Sequence, residues 1–187
     1  MHRTLAWGAI GAPILLLLYK AFLLGEGRAN PVEFITHASG NGALWLLLLV
    51  LWISPLRGIF PQWSWLQGWV RHKRLLGLAA FFYAVFHMSI FTLDQFVGKD
   101  WLKPFILSGL TAFGILTLLA LTSFRFSQHR LPWKKIHRLV YFTIPLLAVH
   151  IWLKEEGQPD KVAYLFLPLI GAEAYRFYLF FNAKGRN

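Results

Sequence analysis

Six long apolar runs leave this chain few ways to fold: about Leu5 to Leu24, Ala38 to Ser54, Leu75 to Leu93, Phe105 to Ser123, Leu139 to Leu153 and Val162 to Phe181. A backbone in hydrocarbon must satisfy its own N–H and C=O groups, so runs of this kind become α-helices. About 20 residues rising about 1.5 Å each cross a hydrocarbon layer roughly 30 Å thick. The fifth run reaches that length by borrowing Ile136 to Arg138. The first run has no small-residue cleavage site before Glu26 and reads as a retained helix, not a signal peptide. Only 14% of the 187 residues are charged while 57% are hydrophobic, against roughly 25% charged in a soluble domain. The expectation is an all-α integral membrane protein, a six-transmembrane-helix bundle forming one domain over residues 1–187.

The net charge of +11 suggests nucleic acid in a soluble domain, but here its placement follows topology. Six spans put both termini on one side. That side holds Arg3, Arg57, Arg71, Lys73, Arg74, Arg125, Arg130, Lys134, Lys135, Arg138, Arg176, Lys184 and Arg186, thirteen of the nineteen basic residues. The opposite loops hold five cations (Arg28, Lys99, Lys103, Lys154, Lys161) among seven acids (Glu26, Glu33, Asp94, Asp100, Glu155, Glu156, Asp160), with Lys20 near that end of the first run. The positive-inside rule then makes both termini cytoplasmic. Trp63, Trp65, Trp69 and Trp133 fall at the inner boundary and Trp101 and Trp152 at the outer one, where amphipathic rings sit. Pro55 to Lys73 reads as an interfacial stretch along the inner leaflet. No loop is large enough for a nucleic-acid module, so no nucleic-acid partner is expected.

No cysteine is present, which excludes disulfides, zinc–thiolate sites, iron–sulfur clusters and thioether-linked haem. GxGxxG, Walker, HExxH and GxSxG signatures are also missing. The chemistry is left to seven histidines. His2 and His129 sit in basic inner segments and read as solvated. His87 lies thirteen residues beyond Arg74, and His150 twelve beyond Arg138, so both reach roughly 18 to 20 Å above the inner boundary. Two imidazoles at one depth on neighbouring helices can supply both axial nitrogens of one haem iron. Interhelical hydrogen bonds account for the same spacing.

His137, thirteen residues before His150, suggests a second iron level about 20 Å lower. On an ideal helix the two lie about 140° apart, and Pro145 between them offers a local change of winding. His72, fifteen residues before His87 and about 60° round the helix, is a candidate partner for His137, although Arg-His-Lys-Arg reads equally as a solvated cluster. Arg71, Arg74 and Arg138 are candidate partners for haem propionates, although arginines at an inner boundary need no ligand. His37 is a third upper-level candidate, beside Ala38, Ser39, Gly40 and Gly42, whose small size admits a helix or a flat ring. Glu173 and Arg176, spaced i and i+3, are expected to pair with each other.

The run from Arg71-His-Lys-Arg to His87, then Trp133-Lys-Lys-Ile-His137-Arg-Leu-Val-Tyr141 and His150, resembles the MsrQ (formerly YedZ) family. Thr36-His37-Ala-Ser-Gly and Ser54-Pro55-Leu56-Arg57 extend the likeness over nearly the whole chain. The wider group is the ferric reductase-like transmembrane domain. The resemblance implies a multi-pass cytochrome of the bacterial inner membrane with one or two b-type haems and ligand histidines at His87, His137 and His150. It also implies a bound FMN, electrons from the quinone pool or a cytosolic flavin reductase, and delivery to a periplasmic molybdopterin-containing, MsrP-like methionine sulfoxide reductase that repairs oxidised proteins. His72 departs from the family pattern. Catalysis would then lie on the partner. A stand-alone ferric or quinone reductase, and a transporter whose histidines relay protons or bind metal, are the competing readings.

Overall fold

The computed structural model describes residues 2–25, 30–95, 101–123, 132–154 and 159–184. Outside them lie His129, the expected inner cations Arg125, Arg130 and Arg186, and the expected outer-loop residues Glu26, Arg28, Lys99, Asp100, Glu155 and Glu156. All regular structure among the described residues is helical. The helices are α1 (His2–Phe22), α2 (Pro31–Ile59), α3 (Trp65–Gln95), α4 (Pro104–Thr122), α5 (Thr143–Trp152) and α6 (Pro159–Lys184). A helical turn, Trp133–Ile136, and a 3₁₀ segment, His137–Phe142, lead into α5. Three of these helices, α2, α3 and α4, are long and apolar enough to cross a membrane.

Helix starts follow from local chemistry. Proline opens α2, α4 and α6, where its missing N–H has no helical partner to lose. At α2 the Glu33 N–H donates to Asn30 Oδ1 at 3.1 Å, and Asn30 Nδ2 donates back to Glu33 Oε2 at 3.4 Å. This reciprocal cap satisfies one of the orphan donors of the first turn.

The chain forms two compact units. One comprises Met1–Leu47 and Leu78–Lys99, and buries Ile35, Ser39, Leu44, Ala79, Ala80 and Tyr83. The other comprises Leu48–Gly77 and Asp100–Asn187, and buries Ile106, Ala112, Leu116, Thr143, Ile144 and Leu169. Within it α4 packs along α5 and the 3₁₀ segment.

Two stretches differ from expectation. Most of the expected interfacial segment is helix: α2 continues through the buried Pro55 to Ile59, and α3 begins at Trp65. Proline is tolerated in such helices when packing and local adjustment re-satisfy the freed carbonyl. The fifth run is not one α-helix. Pro145 has no N–H for the Tyr141 carbonyl, and the turn before it tightens: Thr143 N–H goes to the Val140 and Tyr141 carbonyls, and Thr143 Oγ1 donates to Val140 O at 2.5 Å. Six steps of 3₁₀ winding followed by seven of α leave His137 and His150 about 20° apart around the axis, not about 140°.

Asn30→Ala is expected to lower stability by about 1 kcal/mol, because it removes the α2 cap. Thermal or denaturant unfolding in detergent checks it, with Asn30→Ser close to the parent.

Candidate haem-ligand site

Proline-driven winding sets the lower half of the site. Both histidines of the fifth run face α4: His137 Nε2 lies 3.5 Å from Thr122 Oγ1, and His150 Nδ1 donates to the Phe105 carbonyl at 2.7 Å. The single Thr122 hydroxyl proton also has Leu118 O at 2.8 Å and Leu119 O at 3.2 Å within reach.

His150 is held by a three-part seat on α4. The Phe105 carbonyl takes its Nδ1–H. Ser108 Oγ, three residues on, donates to the same oxygen at 2.9 Å. One residue further, Gly109 lets the ring lie flat on the helix: a Cβ there would come within 2.7 Å of His150 Nδ1.

The other unit repeats this seat part for part. His87 on α3 donates from Nδ1 to the Thr36 carbonyl of α2 at 2.8 Å. Ser39 Oγ donates to that carbonyl at 3.1 Å, and a Cβ at Gly40 would come within 3.0 Å of the His87 ring. Two residues on, a Cβ at Gly42 would come within 2.8 Å of the Tyr83 ring. Ser39 and Ser108 are both buried. The interhelical hydrogen bonds and the close approach at Gly40 are thus both present.

Each seat fixes the tautomer. With Nδ1 carrying the donated proton, a neutral ring keeps its lone pair on Nε2, the form in which imidazole binds a metal. The donor chemistry of His87 and His150 therefore fits haem iron. His137 differs, because its Nε2 is the nitrogen turned to Thr122.

The remaining candidates are placed elsewhere. His72 is exposed and its Nδ1 is bound 2.8 Å from Gly68 O, one turn back on its own helix. His37 is exposed, with Nε2 3.7 Å from Glu33 Oε1. Arg71, Arg74 and Arg138 are exposed. Glu173 and Arg176 do pair, at 2.7 Å. Among the described residues no three His, Cys, Asp or Glu side chains cluster around one metal position. The second Ser-Gly, Ser108-Gly109, is the element of the candidate site that the sequence expectations do not include. Its signal was a repeat of Ser39-Gly40 at the start of another apolar run.

Comparison with known proteins converges on the same stretch. Residues 39–148 match the family described as ferric reductase like transmembrane component. A protein-methionine-sulfoxide reductase heme-binding subunit MsrQ of Herminiimonas arsenicoxydans is 42% identical over 165 residues, covering 77% of this chain and 74% of the relative. The protein of the same name from Deinococcus radiodurans is 38% identical over 170 residues, covering 85% and 82%. That from Azospira oryzae is 40% identical over 148 residues, covering 73% and 62%.

Gly109→Ala is expected to cost about 1–3 kcal/mol, since the His150 ring must leave its seat. Gly114→Ala, on the same helix with open space at its Cβ, is expected to be neutral or to gain up to about 1 kcal/mol. Parallel unfolding curves of the two variants check the contrast.

Proposed function

The chain belongs to the MsrQ family of ferric reductase-like transmembrane components, and from that premise we propose that it is a membrane b-type cytochrome. In this reading it passes electrons across the bacterial inner membrane to a periplasmic, molybdopterin-containing, MsrP-like methionine sulfoxide reductase. All 187 residues serve as one haem-binding domain that crosses the membrane six times with both termini inside. The surplus of basic residues on one side of the expected spans supports that orientation. The quinone pool or a cytosolic flavin reductase is the electron source, and repair of oxidised periplasmic proteins is the outcome. The substrate meets the partner's active site, and the chain itself is an electron-transfer subunit.

The observation that carries the reading is the paired seat: His87 on Thr36, Ser39 and Gly40, and His150 on Phe105, Ser108 and Gly109. A bound b-type haem would supply one-electron iron chemistry there. His87 and His150 would hold haem iron in this reading, with His137 the candidate ligand of a second haem. Each carbonyl holds its imidazole in one tautomer, and hydrogen bonding at Nδ1 raises the basicity of Nε2. Each serine shares that carbonyl, which weakens its pull on the imidazole proton. Each glycine lets the ring approach the helix backbone. Rings locked this way lose little freedom when they take a ligand. His72 and His37, exposed and bound within their own helices, are left out of the ligand set. The FMN implied by the resemblance has no residue assigned to it and plays no part in these roles.

The purified protein is expected to show a reducible b-type absorption spectrum that is lost in His87→Ala and His150→Ala. Ser108→Ala, which leaves the carbonyl wholly to the imidazole, is expected to keep the haem and lower its reduction potential. A colourless protein with normal helix content would favour the transporter reading, and a b-type spectrum indifferent to both histidines would remove them from the ligand set.

A further inference from the structure

A second polar site lies within the unit formed by Leu48–Gly77 and Asp100–Asn187. A cleft of about 340 Å³ is lined by Ser54, Arg57 and Gly58 of α2, Lys73 of α3 and Arg176 of α6, among others. Its volume falls in the range of small-molecule pockets. Its charge is unbalanced: three cations line it, and one carboxylate, Glu173, stands against them, paired with Arg176 at 2.7 Å and within electrostatic reach of Lys73. The Lys73 ammonium donates to a neutral hydroxyl, Ser54 Oγ, at 2.6 Å. Arg176 Nε is buried without a hydrogen-bond partner among the described residues, as are both carboxylate oxygens of Glu173, so the cluster has polar valence left over while its cations outnumber its carboxylate three to one. An orphaned guanidinium N–H beside an ammonium and a second arginine selects an oxyanion, since charge-assisted bonds of this kind suit phosphate.

The surroundings say where that phosphate comes from. The connector between α2 and α3 stacks Phe60 on Trp63 (4.3 Å between ring centroids, planes 8° apart) and Trp63 on Trp65 (5.6 Å, 28°). Trp63, Trp65 and Trp69 are exposed, as aromatic rings are at the headgroup level of a bilayer. Gly58, two residues before Phe60, lies against the Arg176 stem: a Cβ there would come within 2.7 Å of its Cγ. Basic pockets between helix ends on the cytoplasmic side are suited to anionic headgroups.

We propose that this cleft binds the phosphate of an anionic phospholipid through Arg57, Lys73 and Arg176. It is separate from the histidine seats, and it rests on the chain being a membrane protein, not on its binding haem. The lipid phosphate takes up the orphaned Arg176 N–H and balances the surplus charge.

The test places the whole protein in nanodiscs of phosphatidylcholine, alone or doped with phosphatidylglycerol, and counts retained lipids by native mass spectrometry. The wild-type chain is expected to retain phosphatidylglycerol preferentially. Lys73→Gln is expected to weaken that retention about tenfold, the size of one lost charge-assisted contact, and Lys73→Arg to restore most of it. Gly58→Ala, which displaces the Arg176 stem without changing any charge, is expected to weaken it as well, so an effect of net charge alone is distinguishable. Equal retention of both lipids, or an unchanged preference in Lys73→Gln and Gly58→Ala, overturns the proposal. Inorganic phosphate titrated into the same nanodiscs forms the second arm: lipid retention that survives it supports the headgroup, while displacement assigns the cleft to soluble phosphate and overturns the lipid source. Haem absorbance of the same samples is read separately, so a colourless protein that still prefers phosphatidylglycerol counts against the cytochrome alone.

Discussion

A hydrogen bond from an imidazole Nδ1–H to a helix carbonyl is the interaction on which this site depends. That carbonyl has two lone pairs and can serve its own helix while accepting a proton from a neighbour. In hydrocarbon the imidazole has no water to turn to, so the bond fixes both ring orientation and tautomer. Two histidines, His87 and His150, are held this way, each with a serine three residues and a glycine four residues beyond the accepting carbonyl. Glycine is needed at those two positions because the ring lies where a Cβ would be.

Backbone winding places the third histidine. The 3₁₀ segment His137–Phe142 turns His137 to the same face as His150, and α4 receives both. Pro145 causes this at a distance of one turn, through the bond it cannot make to Tyr141. The placement is compatible with a second iron level on the same helix pair, while the contact of its Nε2 with Thr122 distinguishes His137 from the seated pair.

Much of this was legible in the chain. Six apolar runs announced a helical membrane protein, and α2, α3 and α4 emerge with the required length and composition. The likeness carried by Arg71 to His87 and Trp133 to His150 pointed to the family that comparison identifies. The Glu173–Arg176 pair was readable because i,i+3 spacing on a helix brings two side chains together whatever surrounds them. The prolines that open α2, α4 and α6 are equally readable, since proline is favoured at the first helical position. Other features depend on three-dimensional packing and left weaker traces. That Gly109 seats a ring while Gly114 faces open space is decided by a neighbouring helix, not by either glycine. That His72 turns back to Gly68 is a rotamer choice at an exposed position, invisible in a spacing of fifteen residues. The continuation of α2 through Pro55 was hidden because a proline reads as a stop unless its surroundings are known.

The central claim is that the seated histidines offer Nε2, and only Nε2, to iron. Electron–nuclear double resonance on the oxidised, haem-loaded protein tests this most directly, using histidine labelled with nitrogen-15 at one ring position at a time. Strong hyperfine coupling from Nε2-labelled protein, with only the weak coupling of a remote nitrogen from the Nδ1-labelled sample, is the predicted result. Strong coupling from Nδ1, or none from either position, would contradict the account.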